Sequence, residues 1–184
     1  MAFKIVLTLS LLFAAGTARA QTSYYTSRAV LADFFPRSQR VTFRKFDLLP
    51  EVRTRLGVRL GAALLKPSYV IYVAQTGETV DGYAILDEEM GEHLPISYAV
   101  KFSPQGAVLR QEIMVYRERY GDEVRDERFR KQFIGKTVRD PLRTGDDVVA
   151  VSGATISSRS MVIGVRRDLL LLEELVLRES RRVQ

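Results

Sequence analysis

The stretch Asp147-Val148-Val149-Ala150-Val151-Ser152-Gly153-Ala154-Thr155-Ile156-Ser157-Ser158 joins a β-branched run to a long apolar-periodic segment, Met161 to about Leu177. The turn Thr144-Gly145-Asp146-Asp147 precedes it, so the pattern predicts strand, tight turn, helix. Gly153 permits a positive φ and a close approach of another group. Ser152, Thr155, Ser157 and Ser158 place hydroxyls where a helix start leaves backbone N–H groups unpaired. Such a start favours anions, phosphate above all, through those donors and the helix dipole. The same residues also suit a plain N-cap, and spacing alone leaves both readings open.

Ser152-Gly153-Ala154-Thr155, followed by Ser157, resembles the Ser/Thr-Gly-Ala-Thr flavinylation motif of the FMN-binding domain family. That family includes the C subunit of sodium-translocating NADH:quinone reductase and the G subunit of Rnf electron-transport complexes. Pro95 to Val100, the turn Ser103 to Gly106, Tyr116 to Val124 and Phe129 to Lys136 are similar to segments that precede the motif in soluble members. The resemblance runs from about His93 to Leu170. It implies FMN carried on Thr155 through a phosphoester bond and attached by a dedicated flavin transferase. Ser152, Gly153, Ala154, Ile156, Ser157 and Ser158 would surround the phosphate. The family's acid three residues before the Ser/Thr is Val149 here, the nearest acids being Asp146 and Asp147.

Composition narrows the chemistry. At 184 residues, 46% hydrophobic and 27% charged, the chain suffices for one domain with its own core. No cysteine is present, which excludes disulfides, thiolate metal sites and a cysteine nucleophile. His93 is the single histidine, so a histidine metal cluster is excluded, and no nucleophile-elbow sequence accompanies it. The net charge of +6 is spread along the chain without interleaved aromatics, which argues against a nucleic-acid partner.

Residues 1–20 read as a signal peptide. Lys4 is the positive start, Ile5 to Ala15 the apolar stretch, and Ala18-Arg19-Ala20 the cleavage signal. Its removal leaves a net charge of +4. The expectation is a periplasmic or secreted protein, 21–184, whose residues 21–87 elaborate a core at 88–178. The apolar run is too short for a comfortable span, and no later stretch qualifies as one. Membrane association stays open, through an uncleaved leader or a mild attraction to anionic lipid.

Helices are predicted at Tyr24 to Phe35, Glu51 to Leu65, Arg125 to Phe133 and the C-terminal segment. Strands are predicted at Val41 to Leu48, Tyr69 to Gln75, Val80 to Leu86, Ile96 to Phe102 and Ala107 to Tyr116. In the last, Leu109, Ile113 and Val115 are assigned to one face. Asp87 to Pro95 reads as an exposed acidic hairpin loop. Strands in succession without regular βαβ alternation predict an α+β fold, a mostly antiparallel sheet packed against the long C-terminal helix and shorter helices.

No residue pair reads as an acid/base couple acting on a bound substrate. With the resemblance, that leads to an electron carrier rather than a stand-alone enzyme, working with a flavin transferase and a membrane-bound electron-transport protein. The alternatives are a module holding flavin or another phosphorylated ligand noncovalently, and an interaction protein in which Ser152 to Ser158 only caps a helix. Arg159 is a candidate for the phosphate. Tyr116, Tyr120, Phe129 and Phe133 are candidates to flank a ring, although packing in the core or at its edge is the commoner role of such residues. Glu118 and Glu123 could face a flavin from the Gly121 turn.

Overall fold

The computed structural model describes residues 21–61 and 66–179. The leader reading, the part of the second helix beyond Gly61 and the terminal arginines 181 and 182 lie outside the described residues. Six strands form one antiparallel sheet: β1 (Thr22–Ser23), β2 (Arg40–Asp47), β3 (Ser68–Thr76), β4 (Thr79–Met90), β5 (Pro95–Phe102) and β6 (Val108–Tyr116). Their order across the sheet is β1-β6-β5-β4-β3-β2. The helices are α1 (Ser27–Phe34), α2 (Pro50–Leu60), the short α3 (Glu127–Arg130) and the long α4 (Thr155–Leu172), which continues as a wider π turn over Glu173–Leu177. The α+β architecture is the expected one. Among the described residues no helix is long and apolar enough to cross a membrane.

The sheet is covered unequally. On one face, α2 and α4 bury the large core, with Leu56, Ile85, Tyr98, Phe102, Phe129, Met161, Val165 and Leu169 in it. On the other, α1 lays Val30 and Phe34 over Ala74, Ala84 and Ala99, whose small side chains let a helix approach the sheet. Thr26 caps α1, its Oγ1 accepting from the Ala29 N–H at 3.2 Å. Pro50 opens α2, and Gly61 closes it at φ 75°.

Four local expectations are corrected. β4 runs on to Met90, so Asp87, Glu88 and Glu89 are strand residues rather than a loop. Strand length is set here by ladder pairing through Met90↔Pro95, which a charge count does not see. The pairing of β5 with β6 shifts register at Ser97/Tyr98 and at Lys101/Phe102. These irregularities turn Val108, Ile113 and Tyr116 into the large core, while Leu109 is exposed and Met114 joins the smaller one. The predicted helix from Arg125 to Phe133 is a chain of three short turns, Asp122–Arg125, Glu127–Arg130 and Lys131–Phe133. Lastly, Val148 makes one isolated bridge with Thr144, and residues 149–151 join no strand.

Candidate functional site

The segment before α4 is held by side chains in place of a ladder. The Gln132 carboxamide brackets Val149: Oε1 accepts from the Val149 N–H at 2.8 Å, and Nε2 donates to the Val149 carbonyl at 3.1 Å. One amide thus supplies both bonds that a neighbouring strand would supply. The Val151 N–H donates to Ser158 Oγ at 3.1 Å, and the Ala154 N–H closes a turn onto the Val151 carbonyl at 3.1 Å. Gly153, at φ 82°, makes that turn possible.

The hydroxyls then divide. Ser157 is buried, with Oγ 2.8 Å from Tyr116 Oη. Ser158 is fully buried and serves Val151, and Ser160 Oγ donates to the Met90 carbonyl at 2.6 Å. Thr155 and Ser152 are exposed, and among the described residues neither hydroxyl has a hydrogen-bond partner. The expectation that serine hydroxyls cap the helix is corrected: the capping position is Ala154, which has no side-chain bond to offer, because Ser157 and Ser158 face inward. Of the N–H groups assigned to an anion, that of Ser158 already donates to the Ala154 carbonyl at 2.8 Å. Those of Thr155, Ile156 and Ser157 occupy the first turn of α4, where no intrahelical acceptor exists. Arg159 is exposed one turn after Thr155, on the same face of the helix.

A cleft of about 660 Å³ opens beside this turn, lined by Asp126, Arg128, Phe129, Gln132, Val149, Val151 and Ser152. Its volume is that of a small-molecule site. Since Val151 and Ala154 are the ends of a tight turn, Thr155 lies within roughly 11 Å of it, Cα to Cα. Of the four aromatic candidates, Phe129, Phe133 and Tyr116 are core residues, Phe129 also lining the cleft, while Tyr120 is exposed.

The flanking loop is pinned to the helix start. Tyr116 Oη donates to the Tyr120 carbonyl at 2.6 Å while contacting Ser157. Glu118 does not face this site. Its Oε1 accepts from the N–H groups of His93 and Leu94 at 2.5 and 2.7 Å. Burial works to raise that carboxyl, but the N–H donors outweigh it and hold it below the usual carboxylate range. Glu123 stays exposed on its turn. Asp147 accepts from Lys136 Nζ at 2.8 Å and from the N–H groups of Arg143 and Leu142 at 2.8 and 3.2 Å. Burial alone would raise its pKa, and these donors lower it instead. The nearest acid to the motif is therefore a structural anchor of the loop. Among the described residues no cluster of acids and His93 could hold a metal ion.

Further along, α4 is locked to the sheet by Arg167. Its Nη2 lies 2.8 Å from Asp87 Oδ2 and donates to the Glu88 carbonyl and Tyr98 Oη at 2.9 and 3.1 Å, while Nη1 pairs with Glu89. Spacing could not have shown Gln132, Tyr116 or Arg167 in these roles, since each acts across many residues of sequence.

A family model described as "FMN-binding domain" matches residues 69–169, from β3 through most of α4 and across Ser152 to Ser158. Among solved structures, the "Crystal structure of Shewanella oneidensis NqrC" is similar with a TM-score of 0.50 at 15% identity, over 74% of this chain and 80% of that chain. Identity this low speaks for the fold alone. No curated protein matches the chain.

Proposed function

Because the chain belongs to the FMN-binding domain family and its cofactor is FMN, we propose that it is an electron-transfer flavoprotein with the FMN phosphate bonded to Thr155. The observation that carries this is the division of hydroxyls. Ser157, Ser158 and Ser160 are committed to internal bonds, whereas Thr155 presents a free, exposed Oγ1 on the first turn of the long helix. In the attachment step Oγ1 loses its proton and bonds to phosphorus, and the donor's leaving group departs from that phosphorus with the electron pair. The N–H groups of Thr155, Ile156 and Ser157, with the guanidinium of Arg159, are placed to neutralise the remaining phosphate charge. The cleft beside Ser152 offers Phe129, Val149 and Val151 to a planar ring. Bound FMN supplies the one- and two-electron chemistry, and the chain supplies position and electrostatics.

The wider setting belongs to the same proposal. Residues 1–20 direct export, a flavin transferase loads the protein outside the cytoplasm, and a membrane-bound redox protein exchanges electrons with it. A covalent tether suits a compartment where free flavin is scarce.

The test is co-expression with a flavin transferase in an exporting host, followed by denaturing electrophoresis and intact mass. The expected result is flavin fluorescence in the denatured band and a mass gain of one FMN less water, both absent from Thr155→Val. Yellow colour lost on denaturation would replace the covalent reading with a noncovalent one. A colourless parent would overturn both.

A further inference from the structure

Four arginines line one cavity in the part of the molecule away from Thr155. Arg59 comes from the end of α2, Arg139 and Arg143 from the loop after α3, and Arg166 from α4. Arg166 lies eleven residues beyond Thr155, roughly 16 Å along the helix axis. The cavity measures about 290 Å³.

Among the described residues these charges lack counter-ions. Arg166 donates Nη2 to the Arg59 carbonyl at 2.8 Å and Nη1 to the Leu60 carbonyl at 3.3 Å, neutral acceptors at the end of α2. Arg59 Nη1 is shielded from solvent with no acceptor among the described residues. Among the described residues none of the four guanidinium groups has a carboxylate within 4.0 Å. One acid, Asp140, stands in the wall, but its Oδ2 accepts from the Thr137 N–H and hydroxyl at 2.8 and 2.9 Å, and its Oδ1 lies 3.9 Å from Lys136 Nζ. Other shielded arginines of this chain are paired: Arg130 with Glu112, and Arg167 with Asp87 and Glu89. Four like charges around one concavity repel each other, and an anion placed among them relieves that repulsion.

We propose that this cavity binds a phosphate ester. Arginines contributed by three separate segments suit a tetrahedral phosphate, which offers oxygens in several directions, better than a planar carboxylate. Two sources share this chemistry, a soluble phosphate ester and a phospholipid headgroup. The site is independent of the flavin on Thr155.

The experiment uses the full chain, with inorganic phosphate and glycerol 3-phosphate as soluble probes in calorimetry. Phosphatidylglycerol–phosphatidylcholine vesicles are compared with pure phosphatidylcholine vesicles in co-sedimentation. Arg139→Gln/Arg143→Gln removes two exposed charges of the cavity. Arg28→Gln/Arg37→Gln removes the same net charge from α1 and the residues after it. The expected result is binding of at least one probe, weakened about tenfold or more in the cavity variant, as loss of a charged hydrogen bond requires, and retained in the control. Soluble binding identifies a soluble ester, and binding to anionic vesicles alone identifies a headgroup. No binding by the parent to any probe overturns the proposal. So does equal weakening in both variants, which would mean attraction by net charge.

Discussion

Tyr116 Oη and Ser157 Oγ lie 2.8 Å apart at the buried junction between the end of β6 and the first turn of α4. The tyrosine proton goes to the Tyr120 carbonyl, so the serine is the donor and the tyrosine oxygen the acceptor. This pair fixes the loop 117–121 against the helix start that carries Thr155. Tyr116→Phe removes both bonds and leaves the Ser157 hydroxyl buried without a partner. The expected cost is about 1–3 kcal/mol, read as a lowered denaturation midpoint with an unchanged slope.

Gly121 belongs to the same junction. Its φ is 93°, and a Cβ there would stand 2.7 Å from both Ser157 Oγ and Tyr116 Oη. Gly121→Ala therefore combines backbone strain with displacement of the hydroxyl pair, and a loss of about 1–3 kcal/mol is expected. Because both substitutions break one contact, the double variant is expected to lose less than the sum of the singles. Strict additivity in a double-mutant cycle would mean that Gly121 matters only for its backbone.

The elements that repeat locally were legible in the sequence. The β3–β4 and β5–β6 hairpins, the amphipathic helices and the glycine turn before Thr155 each announce themselves within a dozen residues. Hidden features depend on distant partners. Leu109 reads as a core residue until the β5–β6 register shift turns it out. Asp87 and Glu89 read as an exposed acidic loop until Arg167, some 80 positions later, draws them onto α4. The site divides the same way. Thr155 is the motif's candidate, whereas the Gln132 clamp on Val149 and the inward turn of Ser157 and Ser158 follow from tertiary packing.

Asp168 gives a pH signature. It is fully buried on α4. Burial, then the nearby Asp87 carboxylate, push its pKa well above the usual range. The folded state therefore keeps a proton that the unfolded chain releases near pH ~4, so this group's contribution is full below that value and declines as pH rises toward the folded pKa. Glu118 and Asp147, both lowered, act in the opposite sense, losing their contribution as pH falls through their folded values. Asp168→Asn cannot titrate. Relative to the parent it is expected to gain stability as pH rises above about 4, the unfolded value, measured by urea midpoints. Parallel curves would show that Asp168 is ionised in the fold.

Val149 stands where the family motif carries an acid, and it lines the cleft while 70% exposed. Asp147 cannot substitute, since Lys136 and two backbone N–H groups hold it in the loop. Val149→Asp is therefore expected to leave stability within about 0.5 kcal/mol, as at other exposed positions. It should raise the fraction of chains that a flavin transferase loads in a fixed time. Intact mass gives that fraction directly, and an unchanged or lower one would remove the acid from transferase recognition.

Gln132 sets the shape of the cleft without belonging to the motif. Both polar ends of its side chain are spent on Val149, and the same side chain forms part of the wall beside Phe129. Gln132→Ala releases the Val149 N–H and carbonyl, but the segment is exposed enough for water to take them up, so the stability cost is expected to be only about 0.5–1.5 kcal/mol. The larger effect falls on the cofactor environment. Freed from its clamp, the run Val149 to Val151 no longer fixes the wall beside Phe129, and on the proposed attachment a flavin tethered at Thr155 would spend more time in water. The flavin-loaded variant is expected to show equal covalent loading by mass, stronger quenching of flavin fluorescence by iodide, and a shifted midpoint potential. Equal loading with unchanged quenching and potential would place the ring outside this cleft while leaving attachment at Thr155 intact. Loss of loading would instead mean that the Gln132 clamp is needed to present the threonine to its transferase.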